Sequence, residues 1–128
     1  MIKKLTLEES FDFYLTTLER CGMKTLNLSD EQIEHEIFEE FAIEYPASLS
    51  LYTRTILEDN GLIDENISQL SKKLQEKLLE IESTSSLWNA NSFKNSKNWR
   101  EILELSDKIK GLIHQKWSEE EIASIRGK

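Results

Sequence analysis

Residues 64–83 read DENISQLSKKLQEKLLEIES, and their spacing decides the fold class. Ile67, Leu70, Leu74, Leu78 and Ile81 recur at the three- and four-residue steps that return side chains to one side of an α-helix, while Lys and Glu fill the other side. A strand would alternate every second residue, and this stretch does not. An amphipathic helix is therefore predicted between Asp64 and Ser83.

The same rhythm extends in both directions. Leu7, Phe11, Tyr14, Leu15 and Leu18 mark a first helix, opened by a Thr6/Glu9 capping box and stopped at Gly22. Ser29 and Gln32 open a second, whose apolar side is Ile33, Ile37, Phe38 and Phe41, and Pro46 is expected to end it. A third is expected over about 48–60, with Leu49, Tyr52, Ile56 and Leu57 inward and Asn60-Gly61 as a left-handed cap. Residues 83–98 contain no Gly or Pro and carry Leu87, Trp88 and Phe93, so they read as an ordered connection. Trp99, Ile102, Leu103, Leu105, Ile109, Leu112 and Ile113 define a helix over about 96–116, and a Ser118/Glu121 capping box opens a short last one with Ile122 and Ile125. Four Gly and one Pro leave too few turn formers for a β-sandwich. The expectation is an all-α, single-domain bundle of five to six helices over residues 1–128, a length suited to one core.

Cys21 is the only cysteine, which excludes an intramolecular disulfide and any zinc site with two or more thiolates. A reducing, cytoplasmic setting fits best. Residues 1–9 lack the apolar stretch of a signal peptide, and no apolar run is long enough to span a membrane.

The net charge is -8, from 24 acids against 16 bases, which argues against direct binding to nucleic acid or to anionic lipid. The imbalance is local. Residues 1–66 carry 15 acids and 5 bases, whereas the remainder carries 9 and 11. Asp30, Glu31, Glu34, Glu36, Glu39, Glu40 and Glu44 follow one another with no Lys or Arg between them. Asp30 and Glu31 complement the helix dipole in a first turn. On an ideal α-helix His35, Glu36, Glu39 and Ile43 fall on the outward side with Glu40 at its edge, so the face is acidic around one unexplained isoleucine. Such a charge run is often only a solvated face. It is also the surface that would steer a basic protein into contact, with Glu36, Glu39, Glu40 and Glu44 as the acids and Ile43 or Tyr45 as the anchor.

No catalytic constellation is evident. His35 lies one turn from Glu31 and Glu39, but the residues three before the two histidines are Gln32 and Gly111, not the Glu that helical di-metal sites use. No metal or other cofactor is expected, and an enzyme built on His35, Glu31 and Glu39 is the remotest of the readings. Cys21 at a helix end reads as an inert thiol. Trp88, Phe93 and Trp99 interleave with Lys94, Lys97 and Arg100, a mixture that can stack on bases. The register of Trp99 with Ile102, Leu103 and Ile109 favours aromatics that close the end of the bundle.

Residues 87–102, LWNANSFKNSKNWREI, are similar to a segment of helical immunity proteins from contact-dependent inhibition systems, in which one Trp precedes a helix opened by a second. A small, acidic, cysteine-poor helical chain also resembles the wider class of bacterial immunity proteins, which protect a cell from a polymorphic toxin. The resemblance implies that the chain binds and neutralises one cognate toxin, without a reaction or a cofactor. A basic nuclease-type toxin would suit the acidic face. The leading alternative is a helical adaptor or antitoxin-like regulator that uses the same face on another protein of its host.

Overall fold

The computed structural model describes residues 5–127. Among them are seven helices: α1 Leu7–Arg20, α2 over 30–48, α3 Leu51–Asp59, α4 Glu65–Glu82, α5 Ala90–Asn95, α6 Lys97–Lys116 and α7 Glu119–Ile125. Short 3-10 turns at Met23–Asn27 and Ser85–Leu87 join α1 to α2 and α4 to α5. The chain is all-helical, with one helix more than the upper expectation. The addition is α5, a helix of under two turns inside the Ser- and Asn-rich connection, where Asn89 caps it by accepting the Ser92 N–H. Six residues are too few for a hydrophobic rhythm to register, and only the cap betrays it.

α4 and α6 lie along one another, and α1 packs across α2, α3 and α6. The apolar stripes meet in one contiguous core, in which Phe11, Tyr14, Leu18, Ile37, Phe41, Leu78, Trp99 and Leu103 are sealed from solvent. At one end Phe38 sits edge-on to Trp88 and Trp99, with ring centroids 5.0 and 5.8 Å away, and Phe93 closes on Trp99 at 5.0 Å. The Trp99 indole N–H donates to the Leu87 carbonyl at 2.7 Å, which pins the connection to α6. The opposite terminus is fastened by Arg126. Its guanidinium reaches Asp12 at 2.6 Å, Glu19 at 3.0 Å and the Thr16 hydroxyl at 3.1 Å, all on α1. No helix among the described residues is long and apolar enough to cross a membrane.

The capping boxes expected at Thr6/Glu9 and Ser118/Glu121 are formed, and Ser29 and Gln32, expected to open α2, form one as well. Gly61 takes φ 73° after Asn60, the left-handed turn expected there. Three local expectations are corrected. Pro46 does not end α2, which runs on to Ser48. Proline removes a single N–H, and with only two residues of α2 beyond it the break costs one hydrogen bond, while the Tyr45 and Ala47 carbonyls still accept from the Leu49 and Ser50 N–H groups. Gly22 does follow α1, but its φ is -151°, an ordinary extended value. It is small because α6 passes close by: a Cβ there would lie 2.5 Å from the Asp107 carboxylate, whose other oxygen accepts the Met23 N–H. In α3 the inward side is Thr53, Arg54 and Leu57, while Tyr52 faces solvent. The Arg54 side chain is buried and its Nε donates to the Leu49 carbonyl at 3.0 Å, so a guanidinium takes the place that the apolar pattern assigned to a tyrosine.

The geometry of α2 matters most for function. It opens as an α-helix at Asp30–Ile33, widens to a π-helix over Glu34–Phe41 and returns to α-helix at Ala42–Ser48. The Ala42 N–H reaches the Ile37 carbonyl, five residues back. The cause is visible in the side chains. Ile33, Ile37, Phe41, Tyr45 and Leu49 are all buried and recur every fourth residue. Four residues overshoot one α-helical turn by about 40°, so after four such steps Ile33 and Leu49 would point about 160° apart. The wider π turn absorbs that drift and keeps all five against the core.

Candidate protein-binding face

The acids of α2 divide into those the fold uses and those it leaves outward. Asp30 pairs with Lys94 at 2.7 Å, and Glu34 accepts the Ala90 N–H at 3.1 Å, so both tie α2 to α5 beside the aromatic end. Arg20, from the last turn of α1, lies between Glu36 at 2.7 Å and Glu44 at 2.8 Å. The contact to Glu36 is a well-aligned hydrogen bond; the one to Glu44 is an ion pair without that alignment. Burial opposes the Arg20 charge, but Glu44 and Glu36 outweigh it and raise its pKa. Glu36 and Glu44 are thus not bare acids. They are half-covered braces between α1 and α2, and nothing within residues 30–44 could have revealed a base supplied from sixteen or more residues away.

Glu39 and Glu40 remain outward. Among the described residues their near neighbour is the His35 imidazole, whose Nδ1 lies 3.0 Å from Glu39 and whose Nε2 lies 3.9 Å from Glu40, and Glu40 also adds to the field that favours the Arg20 charge. Glu31 lines an open cleft between α1 and α2 together with Glu19, Arg20, Gln32, His35 and Glu36. No cluster of three or more His, Cys, Asp or Glu among the described residues is arranged to hold a metal ion.

The two candidate anchors part company. Ile43 is 78 % exposed, the most exposed large hydrophobic side chain described. Tyr45 is sealed within the core, stacked on Phe41 with ring centroids 5.5 Å apart, and its hydroxyl donates to Glu82 at 2.9 Å. It cannot touch a partner without leaving the core, so its place among the contact residues is corrected to a structural one. Tyr45 continues the four-residue spacing of buried side chains, and that spacing was the available signal.

Other exposed apolar side chains escaped the reading of the sequence. Leu51 and Tyr52 project from the first turn of α3, 68 % and 63 % exposed. They stand beside the end of α2, because the Ala47 carbonyl accepts from both the Ser50 hydroxyl at 2.7 Å and the Thr53 hydroxyl at 2.9 Å. The surroundings are mostly acidic in sequence: residues 25–71 hold eleven Asp and Glu against one Lys or Arg, the buried Arg54, before the exposed Lys72 and Lys73 follow on α4. No family model matches the chain, and no curated protein or solved structure is significantly similar to it.

Proposed function

We propose that this chain is a binding protein that neutralises one cognate basic protein, as an immunity protein does a nuclease-type toxin, within the cytoplasm of the cell that makes it. The observation that carries the proposal is Ile43, an isoleucine left bare on α2 among Glu39, Glu40 and Glu44. Burying an isoleucine is worth about 1.5–3 kcal/mol, and at 78 % exposure Ile43 gains little of this within its own fold. A contact surface gives the side chain a use.

The acids and the isoleucine have different tasks. The outward carboxylates of Glu39 and Glu40 attract a cationic surface over roughly a Debye length and orient it before contact. Once the surfaces meet, desolvated apolar side chains hold the complex and set its lifetime. A nuclease cleft lined by Lys and Arg for phosphate is the kind of surface such a face can cover.

The test is affinity purification of the tagged full chain from its native cell at low salt, beside the variant Glu39→Lys/Glu40→Lys. The proposal predicts that one basic protein is enriched with the wild type and recovered at least about ten-fold less with the variant. Recovery of no basic protein, or equal recovery by both chains, contradicts it.

A further inference from the structure

We infer that the corner where α2 meets α3 is the anchor of this contact: Ile43, Ala47, Leu51 and Tyr52 together receive an apolar side chain that a basic partner presents within a ring of Lys and Arg. The inference rests on the binding role proposed above and adds the place and the chemistry of the contact.

Five large hydrophobic side chains among the described residues are strongly exposed, and three of them, Ile43, Leu51 and Tyr52, belong to this corner. Ile43 and Ala47 are one turn apart on the α-helical end of α2, both outward. The hydroxyls of Ser50 and Thr53 seat the first turn of α3 on the Ala47 carbonyl, which brings Leu51 and Tyr52 alongside. A fourth exposed hydrophobic, Leu79, flanks the same corner. It lies between Gln75, whose amide donates to the Pro46 carbonyl at 3.1 Å, and Glu82, which accepts from Tyr45. Tyrosine is among the residues enriched at interface hot spots, since a large rigid ring loses little freedom on contact. The corner is also firmly built. Ser50 caps α3, and Arg54 fixes the turn from within through the Leu49 carbonyl. A preformed patch needs no ordering when a partner arrives.

Charge selects the occupant. Residues 25–71, which include α2 and α3, hold eleven acids against one buried base, and α4 adds Lys72 and Lys73 beyond them; with Glu39 and Glu40 one turn from Ile43, the acids prevail and disfavour an acidic protein or an anionic membrane. A second copy of this chain docked symmetrically would bring the outward Glu39 and Glu40 of both copies towards each other, and like charges across an interface are a strong penalty. A cationic protein surface is complementary.

The test places the photoreactive residue benzoylphenylalanine at position 52 of the full chain in its native cell, with positions 39 and 108 as comparisons, and identifies the adducts by mass spectrometry. Position 108 is an exposed site on α6. An adduct with a basic protein from position 52 and none from 108 is expected. An adduct from 52 with a second copy of the chain or with an acidic protein, or no adduct, overturns the inference. If 52 is silent while 39 captures a basic protein, the corner assignment fails and the binding role stands; if both are silent, both fail. With the captured protein, Leu51→Ala and Tyr52→Ala are expected to raise the dissociation rate about ten-fold or more while changing the association rate less than about three-fold. Unchanged dissociation from both variants, each melting at the wild-type temperature, also overturns it.

Discussion

Arg20 contributes one positive charge to a strongly negative surface, and its position decides what that surface is made of. Clasped by Glu36 and Glu44, it converts two of the acids of α2 into struts against α1 and leaves Glu39 and Glu40 as the outward charge. Replacing it separates stability from recognition. Arg20→Ala leaves two half-covered carboxylates facing each other and is expected to cost about 1–2 kcal/mol in urea unfolding. The same change makes the face more negative, so association with a basic partner should be as fast or faster. Slower association without loss of stability would instead make Arg20 a contact residue. Cys21 offers a second check at this scale. Burial pushes its thiol up to about 12, with Lys110 pulling it down and Asp107 pushing it up less strongly. Thiolate is the reactive form, so at pH 8 iodoacetamide should modify the folded chain at least about a hundred-fold more slowly than the urea-unfolded chain. Because the folded value is raised, the stabilising contribution is complete below the ordinary thiol value of 9.0 and is lost as pH rises from there towards the folded value. Cys21→Ala should accordingly flatten the fall in unfolding free energy above pH 9, and an unchanged slope would contradict the assignment.

At the scale of elements, the most regular pattern was legible almost to the residue. The steps from Ile67 to Ile81 correspond to α4, Glu65–Glu82, with Asp64 as its cap. What escaped was any feature whose cause lies elsewhere in the chain or outside the ideal helical period. Ser71 lies on the buried side of α4, where its hydroxyl pairs with the Tyr14 hydroxyl on α1, and no local pattern announces that. Tyr52 was placed inward by its spacing, yet the buried position went to Arg54. In α2 the spacing of four among buried residues is visible in the sequence, but it departs from 3.6, and laid on an ideal helix it scatters the apolar side. The π-helix makes a specific prediction. Deleting Glu39 would shorten the step from Ile37 to Phe41 from four residues to three and restore an α-helical rhythm, so the variant should keep its helical circular dichroism and lose less than about 2 kcal/mol of stability. Deleting Lys73 from α4 turns Leu74, Leu78 and Ile81 away by about 100° and should cost more than about 4 kcal/mol. Equal damage from the two deletions would contradict the account of α2.

For the molecule as a whole, the all-helical class and the core were readable from periodicity, because each apolar stripe has to be covered by another. The candidate site was readable only in part. Its acids stood out as a run without bases, whereas the division of those acids between bracing and exposure depends on Arg20, Lys94 and Ala90, which reach α2 from other helices. Of the two anchors suggested by position, Ile43 lies outside and Tyr45 inside, and Leu51 and Tyr52 join the surface only because α3 begins beside the end of α2. What emerges is a molecule whose acidic surroundings and apolar corner coincide. The central claim is that this coincidence recruits a basic protein, and the most direct measurement is the association rate of the purified complex as ionic strength is raised. The account predicts a rate that falls by at least about ten-fold between 20 mM and 500 mM salt, with Glu39→Lys/Glu40→Lys starting at least about ten-fold slower and hardly responding to salt. A wild-type rate indifferent to salt, or a double variant that associates like the wild type, would contradict it.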